Sequence, residues 1–239
     1  MNINFSGKVA LVAGGTGGLG RAVSLAFLEE DAKVVVTYRK EAEFAALKNA
    51  AGKNAGSLEG HVVDVTDEQG AAEFASGVGS RHGRLDAVVN AIGGYAGSTK
   101  LWELETKVFD TILSLNLRSG YSLARAVLPA MLKQGHGSLV NVAAKAALDH
   151  AAGATAYAAS KAAAVALMDS LAADTKGTGV RVNSILPSII DTAANREGMP
   201  KADFASWPKP EHIARVILFL SSDLANTIHG AAIPVYGNS

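Results

Sequence analysis

Tyr157 and Lys161 stand four positions apart in "GATAYAASKAAA", a spacing that puts both side chains on one face of a helix. A phenol ordinarily ionises near pH ~10, so it needs help to exchange a proton near neutrality. A lysine cation beside it would give that help by stabilising the phenolate. The pair therefore has the makings of a proton donor with a built-in modifier. A tyrosine and a lysine at this spacing are common on amphipathic helices, however, and the chemistry needs a reaction partner.

A second cluster suggests that partner. In "VALVAGGTGGLGRA", Gly14, Gly18 and Gly20 lie between a short apolar run and a helical segment, with Thr16 and Leu19 among them. A dinucleotide pyrophosphate needs backbone N–H groups at a helix amino end and no side chains in the way. Glycines permit both the turn and the close approach.

The elements that must position these two clusters follow a regular alternation. Apolar runs of strand length occur at "KVALVA", "AKVVVTY", "EGHVVDV", "LDAVVN", "GSLVNVA", "GVRVNSIL" and "AAIPVYG". Between them, helical periods fall near 18–30, 41–51, 67–82, 103–114, 117–133, 155–176 and 210–221. Strands without polar alternation are covered on both faces, hence parallel with helical crossovers. The pattern predicts an α/β fold: one Rossmann-like, doubly wound domain over residues 1–239, with a mainly parallel, seven-stranded sheet.

Composition narrows the function classes. Of 239 residues, 49% are hydrophobic and 18% charged, so a large core forms and disorder is disfavoured. Lysine plus arginine equals aspartate plus glutamate at 22 each, which speaks against a nucleic-acid surface or a polybasic membrane patch. Without cysteine, disulfides, iron–sulfur clusters and thiolate zinc sites are excluded. The six histidines are scattered without ligand spacing, so no metal site is expected. The amino terminus has neither a signal-type apolar core nor a span, and the expected location is the cytoplasm.

The chain resembles the short-chain dehydrogenase/reductase family. The resemblance rests on the G-x-x-x-G-x-G spacing, Asp64 in "VVDVTD", "VNAIGG" at 89–94, Asn116 in "SLNLRSG", Tyr157 with Lys161, and "LPSIIDT" at 186–192. It implies a nicotinamide cofactor with Asp64 and Val65 at the adenine. Asn90, Ala91 and Gly93 would line the cofactor, with Pro187, Ile189 and Thr192 near the nicotinamide. It also implies that Tyr157 exchanges the proton, Lys161 holds the ribose, and Asn116 supports a water relay. Members that prefer NAD place an acid where Tyr38 stands, and Arg39 and Lys40 follow here. A guanidinium suits a 2′-phosphate, so NADP(H) is the expected cofactor, with NAD(H) as the alternative. A homodimer or homotetramer is expected, paired through the long helices.

The family serine, thirteen positions before the tyrosine, is replaced by Ala144. That hydroxyl steadies charge on a substrate oxygen in carbonyl reduction. Ser138 and Thr155 are poor substitutes by position. The run "AKAALD" from Ala144, together with "AIGGYAGS" and "LPSIIDTAANREGMPKADFASW", resembles the dihydropteridine reductases, a divergent branch that also has alanine there. The leading expectation is therefore hydride transfer to a conjugated planar small molecule such as a quinonoid dihydropteridine. Ala144, Tyr95 and Trp207, with Phe204, would bound the substrate. Two alternatives stand beside it: a carbonyl or 3-oxoacyl reductase, and a non-catalytic NADP(H)-binding sensor.

Overall fold

The computed structural model describes residues 3–239. Seven strands form one sheet, each pair of neighbours parallel. They are β1 (Val9–Ala13), β2 (Lys33–Tyr38), β3 (Leu58–Val62), β4 (Ala87–Asn90), β5 (Gly137–Val142), β6 (Val180–Pro187) and β7 (Ala232–Val235). Their spatial order is β3-β2-β1-β4-β5-β6-β7. The chain first winds one way from β1, then returns to β4 and winds the other way. That reversal opens a crevice beyond the carboxyl ends of β1 and β4, the usual place for a ligand in such sheets.

The apolar strands demand cover on both faces, and the helices supply it. One layer holds α1 (Gly18–Glu29) and α8 (Pro210–Ser221), where Val23, Phe27, Ile213 and Ile217 pack on Val12, Val34 and Val140. The opposite layer holds α3 (Glu68–His82), α5 (Ser119–Gln134) and α6 (Thr155–Asp174). There Phe74, Val78, Leu123, Val127 and Met168 pack on Leu11, Val35, Val88 and Leu139. Successive strand residues alternate between the two cores, the two-residue period of a sheet buried on both sides. Asp67 caps α3 by accepting from the Gly70 N–H at 2.9 Å, and Gly83 ends it at φ +70°. The remaining helices are α2 (Glu41–Ala51), α4 (Thr106–Leu113) and α7 (Ala193–Gly198).

Two boundaries and one additional helix depart from the sequence expectation. The helix expected from 103 begins at Thr106, because Leu101–Glu103 closes only a single 3-10 turn. β3 stops at Val62 rather than 65, and Val65 instead plugs the core beneath the crevice. α7 was not anticipated, since "AANREG" has no apolar period. It is fixed locally: Thr192 caps it, and Arg196 pairs with Asp191 at 2.5 and 2.8 Å.

Candidate active site and cofactor cleft

The glycine turn is built by exclusion of side chains. Gly14 sits at φ +73°, where an added Cβ would also come 2.9 Å from Ile92. At Gly20 a Cβ would overlap the carbonyl oxygen of Gly14. At Gly18 it would press Thr192 Cγ2 at 2.8 Å, so this glycine lets the segment after β6 close over the turn. Gly15, which the motif reading passed over, lies against Val36 and donates its N–H to the Thr37 carbonyl at 3.1 Å. Thr37 Oγ1 accepts the Gly14 N–H at 2.9 Å, and Ser24 Oγ donates to the Gly15 and Gly20 carbonyls. A threonine inside an apolar strand was the overlooked signal. No side chain caps the first turn of α1, whose N–H groups face the crevice with the positive end of the helix dipole. A pyrophosphate fits this cradle.

Around the end of β2 the arrangement is more crowded than the sequence suggested. Carboxylates arrive from α2, but each is already engaged. Tyr38 donates to Glu41 at 2.5 Å and stacks on Phe44 at 4.7 Å, and this bond to an acid holds its phenol above the ordinary value. Glu43 accepts from Thr16 Oγ1 at 3.2 Å and pairs with Lys40 at 3.1 Å, the hydrogen bond from Lys40 leading in holding its carboxyl below the usual range. Arg39 is exposed and makes no ion pair or hydrogen bond among the described residues. Asp64 is exposed, with one oxygen accepting from Thr66 N–H and Oγ1 at 2.9 and 2.7 Å. That turn fixes the carboxyl at the cleft's rim.

At the other end of the crevice, two of the candidate proton-transfer residues, Asn116 and Lys161, converge on Gly93. A Cβ there would lie 2.9 Å from Asn116 Oδ1 and 3.2 Å from Lys161 Nζ. Asn116 belongs to a π-helical turn, Ser114–Arg118, which joins α4 to α5 where the sequence had placed a break between two helices. Such turns re-aim a side chain inside a helix and concentrate at functional sites. Asn116 is buried; its amide bonds Gly94 N–H and C=O at 2.9 and 3.0 Å and donates to Ser160 Oγ at 3.0 Å. Ser160 in turn donates to the Tyr157 carbonyl at 2.7 Å. Sequence reasoning missed Ser160, although it lies three residues past the tyrosine.

Lys161 is only 4% exposed and donates to the Val142 carbonyl at 3.0 Å, with Nζ 6.0 Å from the centre of the Tyr157 ring. Burial alone lowers its pKa to about 8. Tyr157 moves oppositely: burial first, then the neighbouring Tyr95, push it up to about 12. This corrects the expectation that Lys161 sets the phenol low. In this chain the ammonium is tied to Val142 and desolvation dominates. The phenol is protonated across the neutral range, as a free tyrosine is, and its surroundings make it a weaker acid.

The other expected residues divide. Ala91 N–H donates to the Ala13 carbonyl at 3.0 Å, joining the ends of β1 and β4 under the cleft. Asn90 turns its side chain into the core, donating to Asn141 at 2.9 Å and Ser119 at 3.3 Å, so only its backbone remains toward the cleft. Leu19 and Pro187 are buried supports, whereas Ile189 is exposed beside Thr192. Ala144 ends the strand region beside α6 with an extended backbone and a buried methyl group. Ser138 lies at the far end of β5, bonded to the Leu220 carbonyl. Trp207 does not form an open wall: it is buried at 7% exposure, its ring 5.0 Å from Phe204, which stacks under Arg196. Tyr95, by contrast, is exposed and meets the Tyr157 ring edge-on at 5.0 Å.

A parallel sheet with a glycine cradle at its reversal point and a tyrosine–lysine pair on the flanking helix defines a dinucleotide-dependent oxidoreductase. The short chain dehydrogenase family matches residues 8–202, and the chain belongs to that family as an NAD(P)-dependent oxidoreductase. The chain is 30% identical over 243 residues to the 3-oxoacyl-[acyl-carrier-protein] reductase FabG of Thermotoga maritima, covering 98% of each chain. It is 32% identical over 245 residues to D-threitol dehydrogenase of Mycolicibacterium smegmatis, covering 99% of this chain and 94% of that one. Among solved structures, a short-chain type dehydrogenase/reductase from Mycobacterium ulcerans superposes with a TM-score of 0.92 at 27% identity, covering 98% of this chain and 90% of that one. ElxO with NADP bound superposes at 0.91 with 25% identity, covering 96% and 97%. No helix among the described residues is long and apolar enough to cross a membrane.

Proposed function

We propose that the protein reduces a carbonyl group on a small molecule at the expense of NADPH. The carrying observation is the convergence of Asn116 and Lys161 on Gly93, with Lys161 Nζ 6.0 Å from the Tyr157 ring centre. The nicotinamide, when bound, supplies the hydride. The chain does the rest. The glycine turn and the amino end of α1 would hold the pyrophosphate, with Asp64 and the backbone of Val65, whose side chain is buried in the core, bordering the adenine side. Ala91, Gly93, Ile189 and Thr192 would border the nicotinamide side. Arg39, unpaired among the described residues, would meet a 2′-phosphate, which is the basis for preferring NADPH over NADH. Tyr157 gives its proton to the substrate oxygen, Lys161 anchors the ribose, and Asn116 supports the path by which that proton is replaced. Positioning and preorganised polar groups carry the catalysis.

The relatives named above include a 3-oxoacyl reductase and a polyol dehydrogenase, which favours a carbonyl substrate over a dihydropteridine. One observation keeps the conjugated substrate as a second reading: Ala144 removes the hydroxyl that simple ketones use. The test is a panel comprising a 3-oxoacyl thioester, a ketose paired with its polyol, and a quinonoid dihydropterin, each with NADPH and with NADH. The reading expects kcat/KM to be highest for a carbonyl substrate with NADPH. A dihydropterin outrunning every carbonyl by tenfold would select the second reading. Cofactor binding without turnover on any of them would select a sensor.

A further inference from the structure

With alanine at 144, a carbonyl reductase built this way lacks one hydrogen-bond donor for the substrate oxygen. Three serine hydroxyls of this half of the molecule are committed elsewhere. Ser160 donates to the Tyr157 carbonyl, Ser188 donates to the Tyr236 carbonyl at 2.7 Å, and Ser138 faces Leu220 at the far end of its strand. Tyr95 and Thr155 have no such partner among the described residues, and of the two Tyr95 has its ring against that of Tyr157. It follows Gly93 and Gly94 directly in the loop after β4, is 68% exposed, and has no hydrogen bond to any described residue. Its ring meets the Tyr157 ring edge-on at 73° and 5.0 Å, so the two aromatic side chains are direct neighbours.

The loop is shaped to keep it there. The Tyr95 hydroxyl lies over Gly97, where any Cβ would overlap it. Gly97 thereby leaves room for the Tyr95 hydroxyl to lie over the loop backbone while its ring edge rests on Tyr157. The Thr99 N–H donates to the Gly153 carbonyl at 3.2 Å, tying this loop to the segment that leads into Tyr157. The proximity also registers electrostatically, since Tyr95 contributes to the raised pKa of its neighbour.

We propose that Tyr95 donates the hydrogen bond to the substrate carbonyl oxygen that Ala144 cannot. The inference rests on the carbonyl-reductase reading. Tyr95 lends a hydrogen bond as negative charge gathers on the oxygen, and Tyr157 alone transfers a proton to it. Donors aimed at developing oxyanion charge contribute on the order of 10²–10³ in kcat, which bounds the effect from above.

The test is Tyr95→Phe, which keeps the ring and its edge contact while removing the hydroxyl, measured with the best carbonyl substrate of the panel. The expected result is a fall in kcat of at least tenfold with KM and NADPH affinity within about threefold of native. Adding Ala144→Ser to that variant should recover at least fivefold, because a serine hydroxyl then fills the same role. A purely structural role for Tyr95 would not be rescued from across the cleft. The inference is overturned if Tyr95→Phe retains more than a third of native kcat, or if its loss is not recovered by the serine. Tyr157→Phe run alongside separates the two levels: if it retains activity, the carbonyl-reductase reading itself falls.

Discussion

The two ends of the cleft are built on opposite principles. At the proposed phosphate end the work is done by backbone: Gly14, Gly15, Gly18 and Gly20 are defined by the atoms that forbid a Cβ, and Thr37 and Ser24 tie their polar groups to the sheet. At the substrate end the work is done by side chains on α6, the π turn and the loop after β4. There Tyr157 is partly open, Tyr95 is exposed, and Ala144 offers nothing polar. A backbone site tolerates almost no substitution at its core positions. A side-chain site can lose a member and be completed from another loop.

Lys161→Met should break the substrate end most severely. Removing the ammonium should lower kcat by about 10³ or more, the scale of losing a positioned member of the proton-transfer unit. Stability should respond in the other direction. A lysine whose pKa falls from 10.5 to about 8 on folding loses about 3 kcal/mol to desolvation at neutral pH, set against about 1–3 kcal/mol for its bond to Val142. Calorimetry should therefore find Tm level or higher in the variant; a fall of several degrees would contradict the burial account. The sign in pH follows: the unfolded chain holds this proton longer, so native stability should rise between pH 8 and pH 10.5 and lose that rise in Lys161→Met.

Gly20→Ala tests the backbone end. The methyl group must displace the Gly14 carbonyl, so NADPH binding measured by fluorescence should weaken by about 100-fold, with about 1–3 kcal/mol of destabilisation. Near-native affinity would show that the turn is less tightly specified than its geometry implies. Arg39→Ala should be narrower, lowering kcat/KM for NADPH about tenfold to 100-fold while leaving NADH within twofold, as expected for one charge-assisted bond to a phosphate. Equal losses with both cofactors would remove Arg39 from cofactor choice. The smallest effect is expected from Ala144→Ser in the otherwise native chain, where a second donor should change carbonyl turnover by less than about threefold. A large gain would mean the substrate oxygen has no donor at present.

The same contrast explains what the sequence disclosed. Strands, most helices and the glycine turn were legible because apolar period and glycine spacing are backbone requirements written locally. Tyr157 and Lys161 were legible for the same reason, being one turn apart on a single helix. What was not legible depends on distant chain segments meeting. The burial that drives Tyr157 up and Lys161 down needs β5, α6 and the loop after β4 together. Trp207 looked like a substrate wall in a list of aromatics, yet its segment folds inward against Phe204. Glu41 and Glu43 sit one turn beyond the end of β2, and only the folded chain shows that Tyr38, Thr16 and Lys40 already occupy them.

The central claim is that the protonated Tyr157 phenol delivers the proton while the rest of the cleft only holds the reactants. Single-turnover oxidation of NADPH by Tyr157→Phe, measured with NADPH affinity on the same preparation, tests it most directly. The account predicts that affinity stays within about threefold of native while the rate with a carbonyl substrate falls by about 10³ or more. A variant that still oxidises NADPH at a tenth of the native rate or faster would contradict it.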